Sequence, residues 1–173
     1  MTGKALRKAA RKRLVRRIVA RIEDFPRQHA ALESAMAAFG DEFDRVSFKR
    51  AFETADDMSA YNAVQSVERA AGRVQGYVGD MAMDAVRLAG LHSEPSGGEG
   101  FRAAHAFEAL REANVVDARL CRRLVKAQGQ RSQIEHEYPG LQAGKLHDAA
   151  ILIRETSHEF FALYRAWIEQ YLD

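Results

Sequence analysis

Residues 117–140 read DARLCRRLVKAQGQRSQIEHEYPG. Leu120, Leu124 and Ala127 recur at the spacing that puts side chains on one face of an α-helix. Asp117 stands where an N-cap belongs, and Pro139-Gly140 ends the helix sharply. Continuing the same steps gives Arg131, Ile134 and Tyr138. An arginine and a tyrosine therefore occupy positions where a plain helical bundle places Leu or Ala. On an ideal helix these two lie nearly in line, about 20° apart.

A guanidinium on a core-facing stripe needs a partner, because desolvating an unpaired charge is costly. Glu135, one turn on, offers an ordinary ion pair. A phosphate held in a cleft is the other partner, and the planar fork of arginine suits it. The residues alone leave both open. His136 is the natural acid/base group, since an ordinary imidazole titrates near pH 6.5, roughly. It points roughly 140° away from Arg131 on an ideal helix. The two converge if the helix loosens before Pro139, or if a two-fold axis brings a second copy across the cleft. A homodimer is the expected solution, because it covers the exposed part of the stripe and doubles the positive charge.

Outward from this segment the chain continues as helix. Leu6, Ala10, Leu14, Ile18 and Ile22 form the apolar stripe of an arginine-rich N-terminal helix at 1–22, which Pro26 is expected to kink or interrupt. A second helix is expected over 27–39, ending near Gly40. A long one is expected from about Asp57 to Leu91, where Gly72, Gly76 and Gly79 permit close packing or a bend. HSEPSGGEG at 92–100 reads as a loop. A short helix follows from Phe101 to Glu112. Leu146, Ala150, Ile153, Phe160, Tyr164, Trp167 and Tyr171 mark the core face of a last helix over 143–172. No strand alternation competes. The expected fold is an all-α, up-and-down bundle in a single domain spanning 1–173, with four main helices and one or two short extras.

The bulk properties agree. A chain of 173 residues can bury a core without staples, and 47% hydrophobic content with 3 prolines suits a helical globule. Cys121 is the single cysteine, so no internal disulfide forms, which suits a reducing cytosol. No apolar run spans a bilayer and no signal-peptide core stands at the N-terminus, so the expected location is the cytoplasm. The net charge of +2 hides an asymmetry: residues 1–22 hold nine basic groups and no acid. A basic arm on an acidic body is either a phosphate attractor or a solvated helix face.

Arg131-x4-His136-x-Tyr138 resembles the RX4HXY motif of HepT-like toxins in the HEPN superfamily. The likeness extends to AFEALREANVVDARLCRRLVKAQGQRSQIEHEYPGL around it, to YNAVQSVERAAGRVQGYVGD at 61–80, and to the aromatic last helix. It covers about residues 57–172. The resemblance implies a metal-independent endoribonuclease in which the RNA's own 2′-hydroxyl attacks the adjacent phosphate. Carried over, Arg131 holds the scissile phosphate, His136 moves protons, and Tyr138 lies at the site's edge. In such toxins a partner nucleotidyltransferase antitoxin transfers AMP onto that tyrosine, so Tyr138 is the candidate modification site. RNA, that antitoxin and a second copy of the chain are the implied partners, and no cofactor is implied. Ser132 and Glu135 depart from the family's usual Asn and Val, and a carboxylate at 135 can pair with Arg131 and repel phosphates.

Glu68 is a further candidate, either facing the cleft from the long helix or solvated on its outside. Arg122, Arg123 and Lys126 extend an RNA groove or form the wet face of their helix. His29, His92, His105, His147 and His158 share no ligand spacing, so no metal site is expected. GGEG at 97–100 lacks the lysine of a phosphate loop, and Asp56-Asp57 reads as an N-cap cluster. Two other classes remain: a non-catalytic HEPN-fold adaptor using Arg131, Glu135 and Tyr138 as an interface, and a regulator whose N-terminal helix binds nucleic acid.

Overall fold

Helix α1 spans Lys8–Ala37, α2 Arg45–Glu53, α3 Met58–Ala89, α4 Ala103–Glu112, α5 Ala118–His136 and α6 Ala143–Ile168, followed by a 3-10 turn at Glu169–Tyr171. They come from a computed structural model that describes residues 8–40, 42–54, 57–91, 102–136 and 142–172, with Glu135 and His136 described by backbone alone. The segment read as a loop at 92–100 and the Pro139-Gly140 stop lie outside the described residues. The chain is an all-α bundle, with four long helices and two short ones among the described residues. No described helix is long and apolar enough to cross a membrane.

Local chemistry starts these helices where the sequence indicated. Asp57 Oδ1 accepts from the backbone N–H groups of Ser59 at 2.9 Å and Ala60 at 3.1 Å. Asp117 Oδ1 accepts from the Leu120 N–H at 2.6 Å. Both satisfy amide groups that the first helical turn leaves without partners. Gly90 closes α3 in the left-handed region at φ +69°, which a glycine adopts without a Cβ penalty.

The expected interruption at Pro26 is absent. Residues 8–37 form one helix, joining the basic N-terminal segment to the stretch expected as a second helix. Proline inside a helix removes one hydrogen bond and crowds a carbonyl, a cost of about 3 kcal/mol. Apolar burial on both sides offsets it: Leu14 and Ile18 precede the proline, and Phe25, Leu32 and Met36 accompany or follow it into the core. Each such side chain contributes about 1.5–3 kcal/mol on burial.

Helix α2 was not foreseen. Asp44 caps it by accepting from the Ser47 N–H at 2.6 Å. Phe48 anchors it in a cluster with Phe39 and Phe43, at centroid distances of 5.0 and 5.1 Å. His147 of α6 stacks on Phe43 at 4.5 Å, and its Nε2 lies 2.8 Å from the Phe43 carbonyl. This imidazole fastens the α1–α2 connection to α6.

Helix α3 touches each of the other five helices and forms the spine of the core. Gly79 explains part of that closeness, since a Cβ built there would lie 3.1 Å from the Cβ of Ala103 and 3.3 Å from Oε1 of Gln128. Helices α4 and α5 therefore press onto α3 at a point with no side chain. Along the other flank, Arg17 and Arg21 of α1 reach Asp84, which is buried. Arg17 grips it with Nε at 2.7 Å and Nη2 at 2.5 Å, while Arg21 also donates to Asp80 Oδ2 at 2.7 Å. Arg11 donates to the Tyr171 carbonyl at 2.8 Å. Part of the basic N-terminal helix is thus committed to internal contacts instead of waiting for an external phosphate.

Candidate functional site

Leu120, Cys121, Leu124, Ala127 and Ile134 of α5 are buried, so the stripe read from the sequence is the face α5 turns to the core. Arg131 continues it and is half-buried. Its guanidinium crosses to α3 and rests over Gly76: a Cβ at position 76 would lie 3.5 Å from the guanidinium carbon. A methyl at 76 would sit in ordinary contact with it, whereas a longer side chain would contest that space. The core-facing arginine is therefore accommodated by a glycine on the opposite helix.

Around it opens a cleft of about 500 Å³ between α3 and α5, with Gly72, Gly76, Arg131 and Ile134 at its walls. Arg69 and Arg73 stand one turn apart along the α3 rim. Three guanidinium groups from two helices thus border one open space. Tyr77 and Asp80 complete the α3 side.

The carboxylates of the cleft are restrained. Asp80 is engaged by Arg21 at 2.7 Å. Glu68 lines the cleft half-buried, and its carboxyl is pushed above the usual range by burial. Gln65 Nε2, donating to Glu68 Oε2 at 2.9 Å, and nearby Arg69 oppose that rise without cancelling it. Of the two sequence readings of Glu68, the cleft-facing one is the one observed. Tyr77 donates its hydroxyl to Asp24 Oδ2 of α1 at 2.5 Å. This bond holds the Asp24 carboxyl below its ordinary range and raises the Tyr77 hydroxyl.

The remaining candidates separate. Arg123 is committed elsewhere, bridging Glu155 at 2.6 Å and Glu159 at 3.1 Å on α6. Arg122, Lys126 and Ser132 are exposed, and none of them lines the cleft. The side chains of Glu135 and His136, and all of Tyr138, lie outside the described residues. His29 Nε2 lies 3.1 Å from the Arg154 carbonyl, a packing contact like that of His147. Cys121 is buried, and burial first of all pushes its thiol up to about 11, far from a reactive thiolate.

Arg69, Arg73, Tyr77 and Asp80 are the described cleft residues that the sequence reading did not single out. A signal was present: Arg69, Gly72, Arg73 and Gly76 share one helical face, pairing two long cations with two positions that have no side chain. No family model, curated protein or solved structure matches the chain.

Proposed function

We propose that this chain is a metal-independent endoribonuclease of HEPN, HepT-like type, acting as a toxin. The observation that carries the reading is the Arg131 guanidinium, set over Gly76 in an open cleft that Arg69 and Arg73 also border. Arg131 holds the scissile phosphate and stabilises the charge that develops as the 2′-oxygen attacks phosphorus. The 2′-O–P bond forms, the P–O5′ bond breaks, and a cyclic phosphate remains. His136, in this chain or in a second copy related by a two-fold axis, takes the 2′-hydroxyl proton or supplies one to the departing 5′-oxygen. A nucleotidyltransferase antitoxin silences the site by transferring AMP to Tyr138, and both proteins act in the cytoplasm.

Induced expression in bacteria tests this directly. Growth arrest that disappears in both Arg131→Ala and His136→Ala supports the reading, provided both variants remain folded. Unchanged RNA profiles on full induction contradict it and leave the adaptor reading. For Tyr138, co-expression with a neighbouring nucleotidyltransferase should add one or more AMP masses to its peptide, and Tyr138→Phe should abolish the addition.

A further inference from the structure

We propose that Arg69 and Arg73 form a backbone rail for single-stranded RNA, holding phosphates that flank the one bound by Arg131. This rests on the ribonuclease reading and adds a substrate class and two binding residues to it. The two arginines lie at positions i and i+4 of α3, are exposed, and border the same cleft as Arg131. Among the described residues Arg73 has no ion pair. Between them the helix surface carries Gly72, and Gly76 follows one turn beyond, so a sugar–phosphate chain can lie close against α3.

The charge balance favours an anion. Asp80 is already engaged by Arg21, and the Glu68 carboxyl accepts from Gln65. Arg69 and Arg73 then bring two exposed guanidinium groups to the cleft beside Arg131. A volume of about 500 Å³ is that of a small-ligand pocket, which admits a nucleotide of one strand and not a double helix. Tyr77 is the one aromatic among the described lining residues, and its hydroxyl is committed to Asp24. The rail therefore grips the backbone through its two arginines, and these phosphate contacts carry no base preference.

The test is a fluorescence-anisotropy titration with a labelled 2′-O-methyl RNA dodecamer, which cannot be cleaved because it lacks free 2′-hydroxyls. Affinity is measured from about 50 to 200 mM salt, where each phosphate contact on a single strand contributes about 0.7 to the log–log slope. Arg69→Gln/Arg73→Gln should reduce the slope by about 1.4, and each single variant by about half of that. Arg69→Lys/Arg73→Lys should retain the slope, and Arg165→Gln on α6 should match the wild type. Helicity by circular dichroism verifies the fold of each variant. A folded double variant with the full slope overturns the proposal, and so does a folded wild type that does not bind at low salt. Arginine-dependent binding alongside intact ordinary RNA contradicts the ribonuclease reading alone. Cleavage of ordinary RNA with an unchanged slope in the double variant contradicts the rail alone.

Discussion

Arg131 on α5 lies over Gly76 on α3, with 3.5 Å between its guanidinium carbon and the place a Cβ would occupy. That separation is ordinary van der Waals contact, so a methyl group fits there. At Gly79, three residues on, a methyl would stand 3.1 Å from the Ala103 Cβ and must push α4 away. Both glycines sit inside the same long helix, where alanine would gain about 1 kcal/mol in helix propensity.

The two positions should therefore respond with opposite signs. Gly76→Ala is expected to raise the thermal midpoint by roughly 2–4 °C, the shift that about 1 kcal/mol gives in a domain of this size. Gly79→Ala is expected to lower it, because overpacking costs of about 1–3 kcal/mol meet or exceed the propensity gain. Thermal unfolding followed by circular dichroism checks both, and a rise in both variants would show that α4 yields at no cost.

Asp84 is the acidic centre on which α1 and α3 are fastened. Its side chain is 4% exposed, against 52% for Arg17 and 22% for Arg21. Asp84→Ala removes the acceptor from two arginines at once and should cost about 1.5–3 kcal/mol, the range of hydrogen bonds to charged groups. Arg17→Ala should cost under about 1 kcal/mol, since half-exposed ion pairs are screened by solvent. Urea unfolding of the two variants gives the comparison, and equal losses would contradict it.

Glu68 should mark the cleft through pH. Burial raises its carboxyl, so the folded protein holds that proton more tightly than the unfolded chain. Stability is then lost as pH rises from the unfolded value, about 4.3, through the raised folded value. At neutral pH the ionised Glu68 is a burden that Glu68→Gln removes. The variant should unfold at higher urea than wild type at pH 7, and the advantage should shrink at low pH, where both side chains are neutral. A constant difference across pH would mean that the carboxyl is fully solvated.

Much of the fold was legible because apolar spacing is a local signal. The stripe of α5, the caps at Asp57 and Asp117, and the core face of α6 stand where periodicity and capping chemistry put them. Pro26 misled because its penalty is local, while the burial that offsets it comes from helices distant in sequence. Helix α2 escaped because its fastening depends on Phe39, Phe43 and His147 meeting in space. Arg131 could be assigned to the core stripe, but the glycine that accommodates it lies 55 positions earlier. Arg123 looked equivalent to its neighbours in sequence, and only the packing of α6 commits it to Glu155 and Glu159.

On the function proposed above, the cleft under Arg131 cuts RNA without a metal. The most direct measurement incubates the purified full chain with single-stranded RNA in excess chelator and analyses the ends of the fragments. Cleavage that leaves cyclic phosphate ends, and that falls at least about 100-fold in folded Arg131→Ala, is the predicted result, as expected on losing one oxyanion-type donor. RNA left intact by the wild-type protein, or cut equally well by Arg131→Ala, would contradict the account.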